Sequence, residues 1–196
     1  KRGRYMQEAV PVGAGAMAAV IGLELAAVRD GLARVQGGGV EVANWNSPEQ
    51  IVISGRAAAV ESALGILNAP RAVMLPVSAP FHSSLMKSAE ERLAADLDAT
   101  PFRDPRFPVV TNVDAKPIRT GVEARDALKR QVSRPVLWQP SMEVLRGEGV
   151  DRFVEVGPGK VLTTLIKRIA RPWGTPVTAL SADGWEAAER VRAALS

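Results

Sequence analysis

His82 is the only histidine in the chain, so any step that needs a side chain titrating near neutral pH must use it. It lies in the segment Ala79-Pro80-Phe81-His82-Ser83-Ser84, between the apolar run 72–77 and a helical pattern. Because proline removes a backbone donor and disfavours helix in the preceding residue, the sequence predicts a tight bend after a strand. Such a strand-to-helix loop often holds a catalytic side chain in α/β enzymes. The alternative is an ordinary histidine that is packed in a loop or exposed on it.

Two further motifs have groups suited to binding. Gly157-Pro158-Gly159 precedes a helical pattern, and backbone N–H groups at such a turn can bind an anion. Asn44 and Asn46 flank Trp45, where their amides could form hydrogen bonds with a ligand. Ordinary turns also contain glycine and asparagine, so these residues alone leave both interpretations open.

The elements that must position these residues fall into two patterns. Residues 1–8 read as the end of a helix, in which Arg2 and Met6 share one face. Residues 9–76 then give strand, helix, strand, strand, helix, strand, at 15–22, 24–35, 40–45, 51–54, 57–67 and 71–75. This order is the split βαβ plan of ferredoxin-like domains.

The pattern after His82 is an alternation of strand and helix over residues 77–196. Strands are predicted at 107–111, 153–156 and 177–180, and helices at 84–98, 122–132, 142–147, 160–170 and 185–195. Ser83 or Ser84 is predicted to cap the first of these helices, whose apolar face contains Leu85, Ala89, Leu93 and Leu97. The alternation predicts a parallel α/β layer.

Composition sets wider bounds on the 196 residues. A hydrophobic fraction of 46% is enough for a buried core and excludes a disordered or fibrous chain. The absence of cysteine excludes disulfides and fits a reducing compartment, so we expect a cytoplasmic protein. No apolar run approaches the length of a membrane span, and the start, which lacks Met, has no signal-peptide pattern. We therefore expect a piece of a longer protein, and the net charge of +4 does not by itself indicate nucleic acid.

Six motifs occur in one order along the chain: Arg2-Gly3-Arg4-Tyr5-Met6-Gln7, Gly15-Ala16-Met17-Ala18-Ala19, Asn44-Trp45-Asn46-Ser47-Pro48, Ala79-Pro80-Phe81-His82-Ser83, Asn112-Val113-Asp114 and Glu155-Val156-Gly157-Pro158-Gly159-Lys160-Val161-Leu162. Together they resemble the malonyl-CoA:acyl carrier protein transacylase family and, more broadly, the acyltransferase domains of fatty acid and polyketide synthases. The resemblance runs from Arg2 to about Ile169, and the remaining residues match only in general pattern.

The resemblance implies an α/β-hydrolase-like core, formed by residues 1–8 and 77–196, with the ferredoxin-like subdomain inserted at 9–76. It implies a transferase of fatty acid biosynthesis, and so of lipid metabolism, that works by ping-pong acyl transfer. A serine on a G-x-S-x-G turn takes malonyl from coenzyme A as an ester and passes it to the phosphopantetheine thiol of acyl carrier protein. No cofactor, metal, nucleic acid or membrane is implied, and a monomer is expected.

The resemblance also assigns the catalytic residues. His82 matches the histidine that activates the serine and protonates the leaving thiolate. Gln131 matches the residue whose backbone carbonyl, in place of a carboxylate, orients that imidazole. Arg2 matches the arginine that pairs with the malonyl carboxylate.

Other matched residues would bind the substrates. Met6, Asn46 and Val161 match residues that line the acyl pocket. Phe81, next to His82, favours malonyl because a bulky ring leaves less room for an α-methyl group. Lys167 and Arg168 match a basic edge suited to the carrier protein or to CoA phosphates, although the helix dipole alone also favours cations at a helix end.

One departure from the family pattern is large, because the sequence contains no G-x-S-x-G. We therefore expect the 196 residues alone to be inactive for lack of the nucleophile. A first alternative keeps the fold and makes the chain part of a polyketide synthase acyltransferase. A second alternative, a ferredoxin-like RNA-binding module, needs aromatic residues on the central strands, where the sequence offers only Trp45.

Overall fold

The computed structural model describes residues 1–195, which divide into two compact units, one formed by residues 1–141 and one that starts at residue 142. The α-helices among these residues are α1 (Arg2–Glu8), α2 (Leu25–Ala33), α3 (Ala57–Leu67), α4 (Lys87–Asp98), α5 (Gly121–Arg130), α6 (Trp138–Gly147), α7 (Val161–Ile169) and α8 (Trp185–Leu195). The strands are β1 (Gly15–Ile21), β2 (Val40–Ser47), β3 (Gln50–Arg56), β4 (Arg71–Met74), β5 (Val109–Thr111), β6 (Lys116–Ile118), β7 (Arg152–Val156) and β8 (Thr178–Ala182). None of the helices within 1–195 has the length and apolar character that crossing a bilayer requires.

The largest sheet is antiparallel and has the strand order β2-β3-β1-β4. Because side chains alternate along a strand, the even positions of β1 (Ala16, Ala18 and Val20) enter one buried cluster and the odd positions (Met17 and Ala19) another. The first cluster contains the apolar faces of α2 and α3. The second takes Phe81 from the loop that contains His82, so the sheet supports that loop from its other face.

The chain enters the His82 loop directly from this sheet. The Leu75 N–H donates to the carbonyl oxygen of Met17 at 2.9 Å, which extends the pairing of β4 with β1 by one bond. Gly15, at the start of β1, lies against the buried Pro80 ring, since a Cβ built on Gly15 would be 2.3 Å from Pro80 Cδ. Glycine is required here for close approach and not for an unusual φ angle.

Residues 87–130 contain two helices and a short hairpin. The sequence predicts one strand at 107–111 in a parallel layer, whereas the structure has β5 paired antiparallel with β6. The prediction of a parallel layer is therefore wrong for this segment. Strand β6 has three residues, one of them a proline, and this is too weak a pattern to detect. Helix α5 begins with a full capping box between Thr120 and Glu123.

The second unit contains a parallel pair of strands. Strand β7 pairs with β8 in parallel, and α7 connects them, as the alternating pattern predicted. Helix α7 buries Leu165, Ile166 and Ile169, which recur at helical spacing. The connection from β7 to α7 is the Gly157-Pro158-Gly159 turn.

Candidate active site

His82 lies in a tight, largely buried loop. Its φ angle is +57°, in the left-handed region that residues other than glycine seldom adopt. The two residues before Phe81 are buried, and Phe81 N–H donates to the Ala79 carbonyl at 3.0 Å. Since a non-glycine residue in this region costs about 1–3 kcal/mol, the packing around the loop must impose the conformation.

The serines after His82 do not cap the following helix, so that prediction is wrong. The Ser83 hydroxyl donates backward to the Pro80 carbonyl at 2.7 Å, inside the loop. The Ser84 N–H, which opens the 3₁₀ helix Ser84–Met86, donates to both carboxylate oxygens of Glu41 at 3.2 and 3.3 Å. The Ser84 hydroxyl also donates to Glu41. A carboxylate from β2 therefore supplies the cap and fastens the loop to the sheet.

The imidazole of His82 faces two backbone carbonyls. Its Nδ1 lies 3.0 Å from the carbonyl oxygen of Gln131 and 3.1 Å from that of Arg134. Because carbonyls only accept, Nδ1 carries the proton and Nε2 of the neutral ring keeps a free lone pair. The structure thus brings His82 and the Gln131 carbonyl together, in the arrangement that a general base requires.

Two parts of this arrangement carry no signal in the sequence. The Arg134 carbonyl is a second acceptor for the imidazole. The Gln131 side chain closes the turn itself, because its Nε2 donates to the carbonyls of Arg134 at 3.0 Å and Pro135 at 3.1 Å. Residues 131–134, called the acceptor turn below, therefore present both carbonyls on one short, internally bonded segment.

Burial lowers the pKa of His82 below its ordinary value of 6.5. The hydrogen bond to the Gln131 carbonyl acts the other way, the positive charge of Arg2 lowers the pKa further, and the bond to Arg134 raises it. The net shift is downward, so the ring is neutral at pH 7 and available as a base.

Arg2 and Met6 both lie in α1 but have different surroundings. Met6 is buried in a cluster with Ala79 and Met86, and Phe81 packs against the same cluster. Arg2 is exposed, and no carboxylate within residues 1–195 forms an ion pair with its guanidinium. Its charge nonetheless acts on His82. The structure therefore groups an unpaired guanidinium, an apolar wall and the imidazole.

Asn46 lies half-buried in β2, and its neighbours connect that strand to the acceptor turn. The Trp45 N–H donates to the Val136 carbonyl at 2.9 Å, and the Val136 N–H donates to the Ala43 carbonyl at 2.8 Å. Asn44 forms a parallel bridge with Val136. These bonds place the outer edge of β2 against the chain just after the acceptor turn, and the role of Asn46 in the acyl pocket stays a prediction.

The remaining predicted residues belong to the second unit. Val161 begins α7 and is 66% exposed. Lys167 and Arg168 are exposed in the last turn of that helix, and Lys167 lines an open cavity of about 350 Å³ together with Arg171. The roles assigned to these residues stay predictions.

A carboxylate of the chain itself occupies the N-terminus of α7 behind the Gly-Pro-Gly turn. Glu155 accepts from the N–H groups of Leu162 at 3.1 Å and Thr163 at 2.8 Å, and from the Thr163 hydroxyl at 2.8 Å. An external anion would have to displace it, which favours the ordinary turn over an anion site. Nor do residues 1–195 contain three His, Cys, Asp or Glu side chains placed to hold a metal ion.

Comparisons with known proteins give one consistent result. The family described as "Acyl transferase domain" matches residues 1–184. Malonyl CoA-acyl carrier protein transacylase of Escherichia coli K12 is 49% identical over 172 residues, which are 86% of this chain and 56% of that protein. The Bacillus subtilis protein of the same name is 44% identical over 176 residues, 87% of this chain and 56% of its own length. The chain thus spans little more than half the length of these relatives.

Solved structures agree with this result. An acyl carrier protein S-malonyltransferase from Vibrio cholerae superposes with a TM-score of 0.91 at 42% identity, covering 97% of this chain and 62% of the other. A malonyl-transacylase in complex with its type II PKS acyl-carrier protein gives 0.89 at 41% identity, covering 95% and 60%.

Proposed function

The chain belongs to the acyl transferase domain family, and on that premise we propose that its protein transfers malonyl from coenzyme A to acyl carrier protein. The transfer would serve fatty acid biosynthesis in the cytoplasm, without a cofactor. The observation that carries the proposal is the His82 imidazole, held at Nδ1 by two carbonyls with Nε2 free. The names of relatives 44–49% identical to the chain support the choice of substrate.

The proposed reaction has two transfers through one serine. Nε2 of His82 takes the serine proton as the serine oxygen attacks the thioester carbonyl, and the imidazolium returns that proton to the coenzyme A sulfur as it leaves. The carrier thiol then loses its proton to Nε2 and attacks the malonyl ester, and the imidazolium gives that proton to the serine oxygen as the ester bond breaks. The family carries this serine on a G-x-S-x-G turn, which these 196 residues do not contain. These 196 residues would contribute the base, its acceptor turn and part of the acyl pocket to the active site.

Substrate selection rests on Arg2, Met6 and Phe81. The exposed guanidinium of Arg2 is free to bind the malonyl carboxylate through two parallel hydrogen bonds. Met6 and Phe81 share one apolar cluster beside it and would form the wall of the acyl pocket. Asn46 and Val161 are proposed to complete the lining.

The proposed macromolecular partner is acyl carrier protein. One related structure is a complex of a malonyl-transacylase with its acyl-carrier protein. Lys167 and Arg168 at the end of α7 are proposed to face the carrier or the CoA phosphates, since neighbouring cations suit an acidic partner. We propose a monomeric protein with an α/β-hydrolase-like core and a ferredoxin-like insertion, a plan that the strand order β2-β3-β1-β4 supports.

A second candidate function is the same transfer within a polyketide synthase system. The observation that favours it is the likeness to the type II PKS complex, at 41% identity. Both candidates use the same catalytic residues and differ in the carrier protein that accepts the malonyl group. Transfer rates to fatty acid and polyketide carrier proteins, measured side by side, separate them.

The direct test is His82→Ala in the full-length protein. Malonyl transfer to the carrier should fall by about 10²–10⁴-fold, as when a positioned acid–base group is removed. Arg103→Ala, which changes an exposed charge, serves as the control and should transfer at the parent rate. Near-normal transfer by His82→Ala would remove His82 from the mechanism.

A further inference from the structure

The acceptor turn is itself held by a carboxylate on α4. The Ser133 hydroxyl, in the middle of that turn, donates to the carboxylate of Glu90. The same carboxylate forms an ion pair with Lys87, one helical turn earlier. The Glu90 side chain is only 12% exposed, so its hydrogen bonds compete little with water.

We propose that Glu90 is a positioning residue for His82 and acts through Ser133 on the two carbonyls that hold the imidazole. The proposal rests on the proposed function, since it matters for catalysis only if His82 is the base. It assigns Glu90 no contact with substrate and no proton transfer.

Connectivity makes this contact one of the ties that set the relative position of the base and its acceptors. His82 leads through the 3₁₀ helix Ser84–Met86 into α4, and Glu90 lies in the first turn of α4. The chain thus connects His82 to Glu90, and the Glu90–Ser133 hydrogen bond connects Glu90 to the acceptor turn. The hydrogen bond from Nδ1 to the Gln131 carbonyl closes the ring. Within such a ring, movement of either side strains one of these hydrogen bonds.

Glu90 remains ionised and so provides a fixed acceptor. Burial on its own would raise the pKa of its carboxyl, but hydrogen bonds from Lys87 and Ser133 outweigh burial, and the pKa is lowered. A charged acceptor holds a hydroxyl more strongly than a neutral one does. The carboxylate does not act on His82 directly, since the groups within 1–195 that shift the His82 pKa are its two carbonyls, its burial and Arg2.

Other contacts hold the turn as well, since Val132, next to Ser133, is fully buried in the cluster that contains Ala79 and Met86. On one side, Arg130 forms two hydrogen bonds of 2.6 Å with the Asp114 carboxylate, which fixes the end of α5. On the other side, Val136 pairs with β2. Ser133 lies between them, and its hydroxyl links the middle of the turn to α4.

The test reads the imidazole directly and needs no catalysis. In protein labelled with ¹⁵N-histidine, the His82 signals are identified by their loss in His82→Gln. The parent ring should show Nδ1 protonated and Nε2 unprotonated throughout the neutral range. Ser133→Ala and Glu90→Ala should each give a mixture of the two neutral tautomers, because Nδ1–H loses its fixed acceptors.

Transfer kinetics on the same variants give the catalytic readout. In the full-length protein, kcat should fall about 10-fold for Ser133→Ala and for Glu90→Ala, with little change in KM for malonyl-CoA, on the scale of losing an outer hydrogen-bond partner. The double variant should be no slower than either single variant, because both substitutions break one contact. Glu90→Gln, whose amide oxygen can still accept from Ser133, should recover most of the rate and the parent tautomer.

Lys87→Ala is the matched control, since it removes the ion pair but leaves the Ser133 bond. It should keep the parent tautomer and rate. If Ser133→Ala, the mildest of these changes, also keeps both, the proposal is wrong. If instead His82→Ala transfers malonyl normally while Ser133→Ala alters the tautomer, the positioning contact stands and the proposed function fails.

Discussion

The Nδ1 atom of His82 lies 3.0 Å from the carbonyl oxygen of Gln131, a residue 49 positions further along the chain. The imidazole is thus oriented by a neutral acceptor, with the Arg134 carbonyl beside it, and not by a carboxylate. A carboxylate would stabilise the imidazolium strongly and raise the pKa. Two carbonyls do so more weakly, and burial therefore determines the protonation state of the ring.

The first prediction concerns the pH dependence of transfer. A base works when it is unprotonated, and burial, together with the charge of Arg2, holds the pKa of His82 below 6.5. The acid limb of kcat/KM in the full-length protein should therefore have its midpoint below pH 6.5. The stability of the fold should also decrease on acidification. The contribution of His82 is fully present above its pKa in the unfolded chain and is lost as pH falls through its lower pKa in the folded protein. A midpoint at or above 6.5 would contradict the assignment.

The second prediction concerns acyl selection by Arg2. Arg2→Ala should lower kcat/KM for malonyl-CoA by roughly 30-fold or more, since the substrate carboxylate loses its partner. Transfer from acetyl-CoA, which has no such carboxylate, should change little. Arg2→Lys should recover only part of the malonyl rate, because an ammonium cannot form the two parallel hydrogen bonds of a guanidinium. Equal losses on both substrates would show that Arg2 supports the fold instead.

The third prediction concerns the backbone of His82. Its φ of +57° is strained for every residue with a Cβ, so His82→Gly should be more stable than His82→Ala. We expect a difference of about 0.5–1 kcal/mol in the free energy of unfolding, measured by urea titration. Both variants lack the imidazole, so the comparison isolates the conformational cost. Equal stability, or a more stable alanine variant, would mean that the loop relaxes once the ring is gone.

The fourth prediction concerns the contact of Gly15 with Pro80. A Cβ on Gly15 would lie 2.3 Å from Pro80 Cδ, and the buried ring has nowhere to move. Gly15→Ala should cost about 1–3 kcal/mol of stability, the usual range for overpacking, and should slow transfer by moving the His82 loop. Gly65→Ala, in α3 with open space around the added methyl, is the control and should be neutral or stabilising. Thermal melts of both variants, run with transfer assays, test the pair.

The fifth prediction concerns the 196 residues by themselves. Incubated with malonyl-CoA, they should show no stoichiometric, hydroxylamine-labile mass increase, because they contain no serine in a G-x-S-x-G turn. Intact-mass spectrometry measures this directly. A malonyl ester on one of the serines present would place the nucleophile within these residues and overturn the assignment of roles.

Local pattern was sufficient to predict the first sheet and the His82 loop. The alternation in β1 and the helical spacing in α3 are strong signals, and two prolines, Pro76 and Pro80, restrict the chain just before His82. The same reasoning could not find the cap that Glu41 gives to Ser84, because the two residues are 43 positions apart. A serine next to a helix start predicts that its hydroxyl caps the helix. Here the carboxylate of Glu41 accepts from the backbone N–H of Ser84 instead.

The acceptor turn shows the same limit. The role of Gln131 was predicted from the family resemblance. The Arg134 carbonyl and the Glu90–Ser133 contact were not predicted, because they depend on how α4 and α5 pack. Backbone carbonyls carry no residue-type signal, so a site built from them is invisible to sequence composition. The β5–β6 hairpin was missed for a different reason, since three-residue strands with a proline lie below what periodicity detects.

Strand β2 holds both halves of the site. Its Glu41 side chain fastens the loop of the base, and its backbone pairs with Val136, just after the turn of the acceptors. The edge strand thus sets the spacing between the imidazole and the carbonyls, although it contributes neither. Local opening of β2 would move the His82 imidazole away from the carbonyls of the acceptor turn while most of the fold persists. In the proposed mechanism, the position of the base relative to its acceptors therefore depends on an edge strand and not on the stability of the centre of the sheet.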